Sequence, residues 1–395
     1  MHRGRGVRNC KLVEYSSLTI SNMIGINAKA AFHTPRTGIE EYAFELIRHL
    51  GYEMETRQTR RDIFFYAPSF PHVAFPNLEG FPRLDFRVLR SRRLWTQGRL
   101  ALEFFLDTPD IFFNPEQILP RFAPKKSVIT VHDLAYEIYP EFYPLLHQQY
   151  LHFVTRRAVK KAKYVIAVSE RTKRDITKYY GIPQNNIKVI YHGFLTQHDM
   201  QKQDTSKEID PLTVLPTKLP YVFFIGRIEL KKNLSMLISA FEIFARMAKI
   251  PVALILAGKD GHGASIIRHR AFLSPYRDNI FFLDYVHKTL KPILYRNARV
   301  FAFPSLYEGF GLPILEAQSF GVPVVAANTS SLPEVLGEGG LLTDSHNDKD
   351  LAQKMLTLFT NEKLRKFYIK KGFANLNRFS WEKTASQTLE LLLNL

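Results

Sequence analysis

Two successive series of short, largely apolar runs, several of them parted by a helical pattern, constrain this chain more than any other feature. In the first series the runs fall at residues 24–28, 63–67, 84–89, 111–113, 128–131, 164–168 and 187–191. Between the first two, Tyr42, Leu46 and Leu50 recur at i, i+4 and i+8 on a helical face. Strand-like runs without a polar alternation are buried on both faces, and their alternation with helices indicates parallel sheets covered on either side. A polar stretch, 196–207, and the prolines Pro211, Pro216 and Pro220 interrupt the pattern, which restarts at Tyr221. Strands are then expected at 221–226, 252–257, 279–283, 299–303 and 322–326, with helices near 234–247, 264–272, 290–297 and 311–320.

The expected architecture is therefore α/β, with two Rossmann-like doubly wound domains facing a central cleft. The first domain spans 23–195, a linker 196–219 and the second domain 220–380. The segment 381–395 carries an apolar stripe (Trp381, Ala385, Leu389, Leu392) and reads as a helix crossing back toward the first domain. Residues 1–22 are basic with no apolar core behind them and read as a disordered leader. Ligands of such sheets bind outside the carboxyl ends of the strands, so the cleft is the expected site.

Composition narrows the partners. The formal charge of +17 reads either as a match to an anion, whether nucleic acid, a phospholipid face or a phosphorylated small molecule, or as a generally basic surface. The basic residues are scattered rather than gathered into an aromatic-interleaved module, which argues against nucleic acid. A local cluster is the exception. Arg87, Arg90, Arg92, Arg93 and Arg99 stand among Phe86, Leu89, Leu94, Trp95 and Leu100. It reads either as an amphipathic helix resting on an anionic membrane or as a helix covering the sheet with its arginines in solvent. The single Cys10 excludes a disulfide framework and a cysteine-based zinc site. No apolar run approaches the roughly 18 residues needed to span a bilayer. A cytoplasmic protein, either soluble or peripheral at the inner face of the cell membrane, is expected.

The segment Pro304-Ser305-Leu306-Tyr307-Glu308-Gly309-Phe310-Gly311-Leu312-Pro313-Ile314-Leu315-Glu316 carries the strongest chemical signal. A strand ends before it, and Pro313 stands where the first turn of a helix begins. Gly309 and Gly311 let backbone N–H groups approach an anion, and the helix N-terminus adds positive potential. Glu308 and Glu316 can hold sugar hydroxyls on either side of a phosphate; a plain strand-turn-helix with a capping Glu would read the same. In Gly226-Arg227-Ile228-Glu229-Leu230-Lys231-Lys232-Asn233 the arginine fork and Lys232 can neutralise a diphosphate, although alone the segment reads equally as a solvated loop. His132 and Asp133 end a first-domain strand, as proton-active groups at the cleft floor or as a buried structural pair. Gly38 opens a helix after the first strand, either facing a substrate or forming a plain turn. Asp348-Lys349-Asp350 spells an Asp-x-Asp metal motif but sits at a helix start and reads as capping. The histidines show no ligand spacing, so no metal is expected.

Taken together, 226–234, 304–316, Gly321-Val322-Pro323-Val324-Val325-Ala326, Ser331-Leu332-Pro333-Glu334-Val335, His132-Asp133-Leu134 and Ala167-Val168-Ser169-Glu170 resemble the retaining nucleotide-sugar glycosyltransferases of family four, which have the GT-B fold. The resemblance implies a metal-independent hexosyltransferase, mannosyl or glucosyl in type. It would use a GDP- or UDP-linked sugar as co-substrate, with no other cofactor, and a glycan or lipid-linked acceptor in cell-surface polysaccharide or glycolipid synthesis. It implies that His132 and Glu308 face the transferred sugar. Arg227, Lys232, Gly309, Phe310 and Gly311 would hold the donor diphosphate, Glu316 and Val286 the nucleotide ribose and base, and Gly38 and Asp133 the acceptor side. The alternatives are a nucleotide-sugar epimerase on the same fold and, from another class, a basic nucleic-acid-binding protein. The chain departs from the family pattern at Asp284, where relatives often carry glycine, and in having one glycine at the turn of Gly38.

Overall fold

A computed structural model of the chain describes residues 23–33, 36, 38–59, 61–69, 84–91, 94–194, 215–287 and 289–395. The expected leader and most of the expected linker lie outside the described residues. In the first domain the strands are β1 (Met23–Asn27), β2 (Asp62–Ala67), β3 (Leu84–Val88), β4 (Ile111–Asn114), β5 (Lys126–Val131), β6 (Tyr164–Ala167) and β7 (Ile187–Val189). In the second they are β8 (Tyr221–Ile225), β9 (Ala253–Ala257), β10 (Ile280–Leu283), β11 (Ala298–Phe303), β12 (Val324–Ala327) and β13 (Gly340–Thr343). The sheet orders are β3-β2-β1-β4-β5-β6-β7 and β10-β9-β8-β11-β12-β13, and every pairing is parallel.

The central strands β1, β4, β8, β9 and β12 are buried along their whole length, as the unbroken apolar runs require. In each sheet the strand order reverses beside the first strand, and at that reversal the connecting loops part to leave a ligand crevice. The carboxyl ends of the two sheets face one another, so the loops after β5 and β6 meet the loops after β8, β11 and β12. The last helix, Trp381–Leu393, leaves the second domain and packs on the first-domain helix Gly38–Thr56, burying Trp381, Ala385, Leu389 and Leu392 in that domain's core. Gly193 permits the approach, since a Cβ there would lie 2.3 Å from the Trp381 nitrogen. No helix among the described residues is long and apolar enough to cross a membrane.

The structure corrects the reading of the arginine cluster. The cluster reads as a helix from Phe86 to Leu100, yet its first residues belong to the run 84–89 expected as a strand; Leu84–Val88 is an edge strand, and the helix that follows starts only near Trp95. Arg87 pairs with Asp107 and lies over the Phe64 ring, while Arg99 pairs with Glu103 at 3.0 Å. Trp95 is buried, its indole N–H donating to Asn27 at 3.2 Å. Arg87 and Arg99 thus serve their own domain. Arg92 and Arg93 lie outside the described residues.

Candidate active site

The second-domain half of the site is built on the strand ends of β8 and β11. Chain leaving β8 passes Gly226 and the exposed Arg227, then forms a turn, Leu230–Lys232. Gly226 and Gly258 allow the ends of β8 and β9 to touch: a Cβ on Gly258, whose φ is +143°, would lie 1.8 Å from the Gly226 carbonyl oxygen. Asn233 ends the turn in left-handed geometry and donates from its side chain to the carbonyls of Pro304 and Ser345. Leu306 N–H in turn donates to the Lys231 carbonyl at 2.9 Å. These bonds lock the lysine turn against the 304–311 loop and bring Lys232 Nζ to 2.5 Å from Glu308 Oε1.

Glu308 is itself fixed by its backbone. Its N–H donates to Ser330 Oγ at 3.0 Å, and Ser331 Oγ lies within bonding distance of the Glu308 and Phe310 carbonyls. After Gly311, at φ +116°, the helix Leu312–Ser319 begins with Pro313 in its first turn. One turn inside it, Glu316 accepts from Tyr295 Oη at 2.8 Å and from Lys291 Nζ at 2.9 Å, both on the helix Lys291–Arg296. Burial works against the Lys291 ammonium, yet Glu316 outweighs it and holds the lysine above its usual pKa. Both Glu316 oxygens keep a lone pair for a further hydroxyl.

The first-domain half follows β5. His132 Nε2–H donates to the Pro115 carbonyl at 2.8 Å, which leaves Nδ1 with the lone pair. Burial lowers the His132 pKa against the opposing pull of that bond and of Asp133, so the ring is neutral at pH 7. Asp133 lies 3.5 Å from Lys231 of the second domain. Burial raises the Asp133 pKa, but the Lys231 charge, the Ala135 N–H and the Lys232 and His132 charges together bring it below the usual carboxylate value. Tyr42 packs edge-on against His132 at 4.7 Å. Gly38 opens its helix in open space, with nothing within 4 Å of where a Cβ would stand.

The two halves meet at Gly309. A Cβ there would fall 1.6 Å from the His132 carbonyl oxygen and 2.9 Å from Asp133 Cβ, so only glycine lets His132 and Glu308 approach across the interface. Ser169 caps the helix Glu170–Tyr180 by accepting from Thr172 N–H, and it donates to the Gly309 carbonyl at 2.8 Å. Further along, Glu334 accepts from the N–H groups of Glu170 and Arg171, and Tyr307 Oη donates to Asp175 at 2.8 Å. A second-domain carboxylate thus sits on the positive end of a first-domain helix.

These geometries can be set beside known proteins. A family model described as "Glycosyl transferases group 1" matches residues 205–374, and one described as "Glycosyltransferase Family 4" matches residues 36–198. The chain belongs to the group 1, family 4 glycosyltransferases. It is 28% identical over 369 residues to O-antigen chain mannosyltransferase B of Escherichia coli, covering 90% of this chain and 95% of that protein. Among solved structures it superposes on sucrose-phosphate synthase from Thermosynechococcus elongatus with a TM-score of 0.69 at 19% identity, covering 94% and 98% of the two chains. It superposes on Anabaena HepE in complex with UDP-glucose with a TM-score of 0.67 at 20% identity, covering 95% and 100%. The fold of this glycosyltransferase is GT-B.

Not every residue singled out in the glycosyltransferase's sequence lies at this meeting point. The Phe310 side chain packs into an aromatic cluster with His192, at 4.9 Å, and Phe379. Val286 is partly buried against the second-domain core, and Asp284 is exposed beside Arg268. Asp348 and Asp350 begin the helix Asp348–Thr360, but the cap is Asn347; Asp350 accepts from Thr343 and Lys354 instead. Sequence reasoning gave no role to Lys231, Lys291, Tyr295 or His192. His192 is buried, and neither ring nitrogen has a partner among the described residues. Three of these are revealed only by distant pairing: Lys291 and Tyr295 bond Glu316 within the second domain, 25 and 21 positions away, and Lys231 pairs with Asp133 of the first domain.

Proposed function

We propose that the protein transfers a hexosyl unit, mannosyl in the first instance, from a nucleotide-diphosphate sugar to a hydroxyl of a glycan or lipid-linked acceptor in cell-surface polysaccharide synthesis, with retention of configuration. The observation that carries this reading is the Lys232–Glu308 pair, held at the carboxyl ends of β8 and β11 and closed against His132 by Gly309. The name of the Escherichia coli relative, an O-antigen chain mannosyltransferase, favours mannose; the UDP-glucose in the Anabaena structure keeps glucose as the comparison donor.

In this reading the diphosphate competes with Glu308 for the Lys232 ammonium, and Arg227 reaches it as a fork from the strand end. The N-terminus of the helix Leu312–Ser319, together with Gly309 and Gly311, adds backbone donors. Charge on the leaving diphosphate is then stabilised where it develops, without a role assigned to a metal. Glu308, released from Lys232, accepts from sugar hydroxyls near the reacting carbon. Neutral His132, with its Nε2–H committed to Pro115, offers Nδ1 as an acceptor and so orients the sugar. Glu316 holds the ribose from a carboxylate already anchored by Tyr295 and Lys291, and Val286 lies toward the base. Gly38 leaves room for the acceptor, which Asp133 borders.

Glu316→Ala and Lys232→Ala are each expected to lower donor kcat/KM by roughly tenfold to a hundredfold, the range of a lost hydrogen bond to a charged group. Nucleotide release measured with and without acceptor reads this and separates transfer from epimerisation, which needs no acceptor. Wild-type turnover in both variants would sink the assignment.

A further inference from the structure

A cavity of about 360 Å³ opens at the seam of the two domains, beside the 304–311 loop. Its walls come from both: Tyr139 and Arg171 from the first domain, Tyr307, Asn328 and Ser330 from the second. Small-molecule sites commonly measure about 300–1,000 Å³ and favour domain interfaces. None of the residues assigned above to the donor or the acceptor lines this one. Glu308 stands between it and the donor pocket. The Glu308 carboxylate meets Lys232, while its N–H donates to Ser330 Oγ, on the cavity wall, at 3.0 Å.

These walls offer hydrogen bonds that the fold does not use. Arg171 donates from Nε to both oxygens of Asp175, at 3.0 and 2.9 Å, and its guanidinium lies over the Tyr307 ring. Its two terminal nitrogens make no hydrogen bond among the described residues, and neither does the exposed side-chain amide of Asn328. Tyr139 is half-buried and fixed by stacking on Phe142, with centroids 5.5 Å apart and 10° between the planes. Ser330 stands in left-handed backbone at φ +51°, which a residue with a side chain keeps only where its surroundings hold it. No carboxylate and no second cation lines the cavity, and Asp175 balances the Arg171 charge. A metal ion therefore finds no ligand set here, and a diphosphate finds no surplus of charge. The pattern that remains suits a neutral, polyhydroxylated ring. The guanidinium fork and the amide can bond neighbouring hydroxyls, and the Tyr139 ring with Pro333 can cover an apolar C–H face.

We infer that this cavity is a second saccharide subsite, which holds a hexose residue of the acceptor glycan away from the reacting hydroxyl. The inference deepens the proposed reaction and rests on it for the class of glycan. Tyr139 and Arg171 stand on one domain and Asn328 and Ser330 on the other, so a sugar bound between them favours the domains as they stand here. Because Ser330 also holds the Glu308 N–H, an occupied cavity steadies the carboxylate that faces the donor. An acceptor of several residues then binds more tightly than a monosaccharide.

Calorimetric titration of an α-linked mannotriose into the full chain tests it, with maltotriose, methyl α-mannoside and inorganic phosphate as comparison ligands. The wild type should bind a trisaccharide more tightly than the monosaccharide. Asn328→Ala should weaken that binding roughly fivefold, the size of one lost hydrogen bond. Asn328→Trp, whose indole fills the cavity, should abolish binding at this site, and Tyr139→Ala should weaken it from the facing domain. Thermal midpoints establish that each variant is folded. Should Tyr139→Ala fail to fold, the Asn328 pair decides, because that side chain is exposed and bonds nothing in the fold. A wild type that binds neither trisaccharide, or trisaccharide binding that is the same in the wild type and both Asn328 variants, would overturn the inference. So would phosphate binding that Asn328→Trp abolishes, which would make the cavity an anion site. Absence of acceptor-dependent nucleotide release in the wild type would strike the proposed reaction and leave the trisaccharide result standing.

Discussion

Replacing Gly309 with alanine asks the sharpest question of this structure. The added Cβ would sit 1.6 Å from the His132 carbonyl oxygen and 2.7 Å from its carbon. A carbon resting against a carbonyl oxygen needs about 3.3 Å, so the domains must separate there by roughly 1.7 Å or the loop must retreat as far. Neither partner is a flexible side-chain end, and the loop cannot withdraw without breaking the bonds of Ser169 to Gly309 and of Ser330 and Ser331 to Glu308 and Phe310. A displacement of about 1 Å in a catalytic constellation can cost a hundredfold in rate. Gly309→Ala should therefore lower kcat/KM by at least a hundredfold, about 2.7 kcal/mol in the barrier. Nucleotide binding should be little changed, since Arg227, Lys232 and Glu316 all belong to the second domain. Acceptor-dependent nucleotide release and calorimetric binding of the free nucleotide measure the two quantities. Wild-type turnover in Gly309→Ala would refute the idea that the reaction needs His132 and Glu308 as close as they stand here.

Other consequences follow from the interface. Glu334→Ala removes the carboxylate from the N-terminus of the helix Glu170–Tyr180 and should weaken closure by about 1 kcal/mol, a roughly fivefold loss in kcat/KM; an unchanged value would mean that this cap does not hold the reactive arrangement. Burial, with a further push from His132, keeps the His192 pKa well below the usual histidine value. A histidine with a lowered folded pKa contributes its stability fully above the unfolded value near 6.5, and that stability is lost as pH falls toward the folded pKa. The thermal midpoint should therefore drop between about pH 7 and pH 5, and drop less in His192→Phe; parallel profiles for the two proteins would contradict this.

The architecture was legible because parallel strands buried on both faces must be written as unbroken apolar runs, and β1, β4, β8 and β9 were. At 86–100 two readings overlapped: the run 84–89 marks the edge strand that forms, while the arginine density beyond it suggests a helix that begins only near Trp95. Within the site, Glu308, Lys232 and Glu316 stood out because their motif is local, spread over one loop and one turn. Lys231 and Lys291 did not, because an ordinary surface lysine and a buried, carboxylate-paired one are spelled identically. Phe310 looked like part of a phosphate loop from its neighbours, yet an aromatic side chain next to two glycines still needs a core, and it finds one at His192 on the other domain.

The most direct test of the account is calorimetric titration of GDP-mannose into the wild-type protein and into Lys232→Ala, with UDP-glucose and an ADP-sugar as comparison donors. The account predicts one-site binding of GDP-mannose or of UDP-glucose to the wild type, and at least tenfold weaker binding of the same donor to the variant, as expected for a lost ion pair with a phosphate. A wild type that binds none of the three, or a variant that binds as tightly as the wild type, would contradict it.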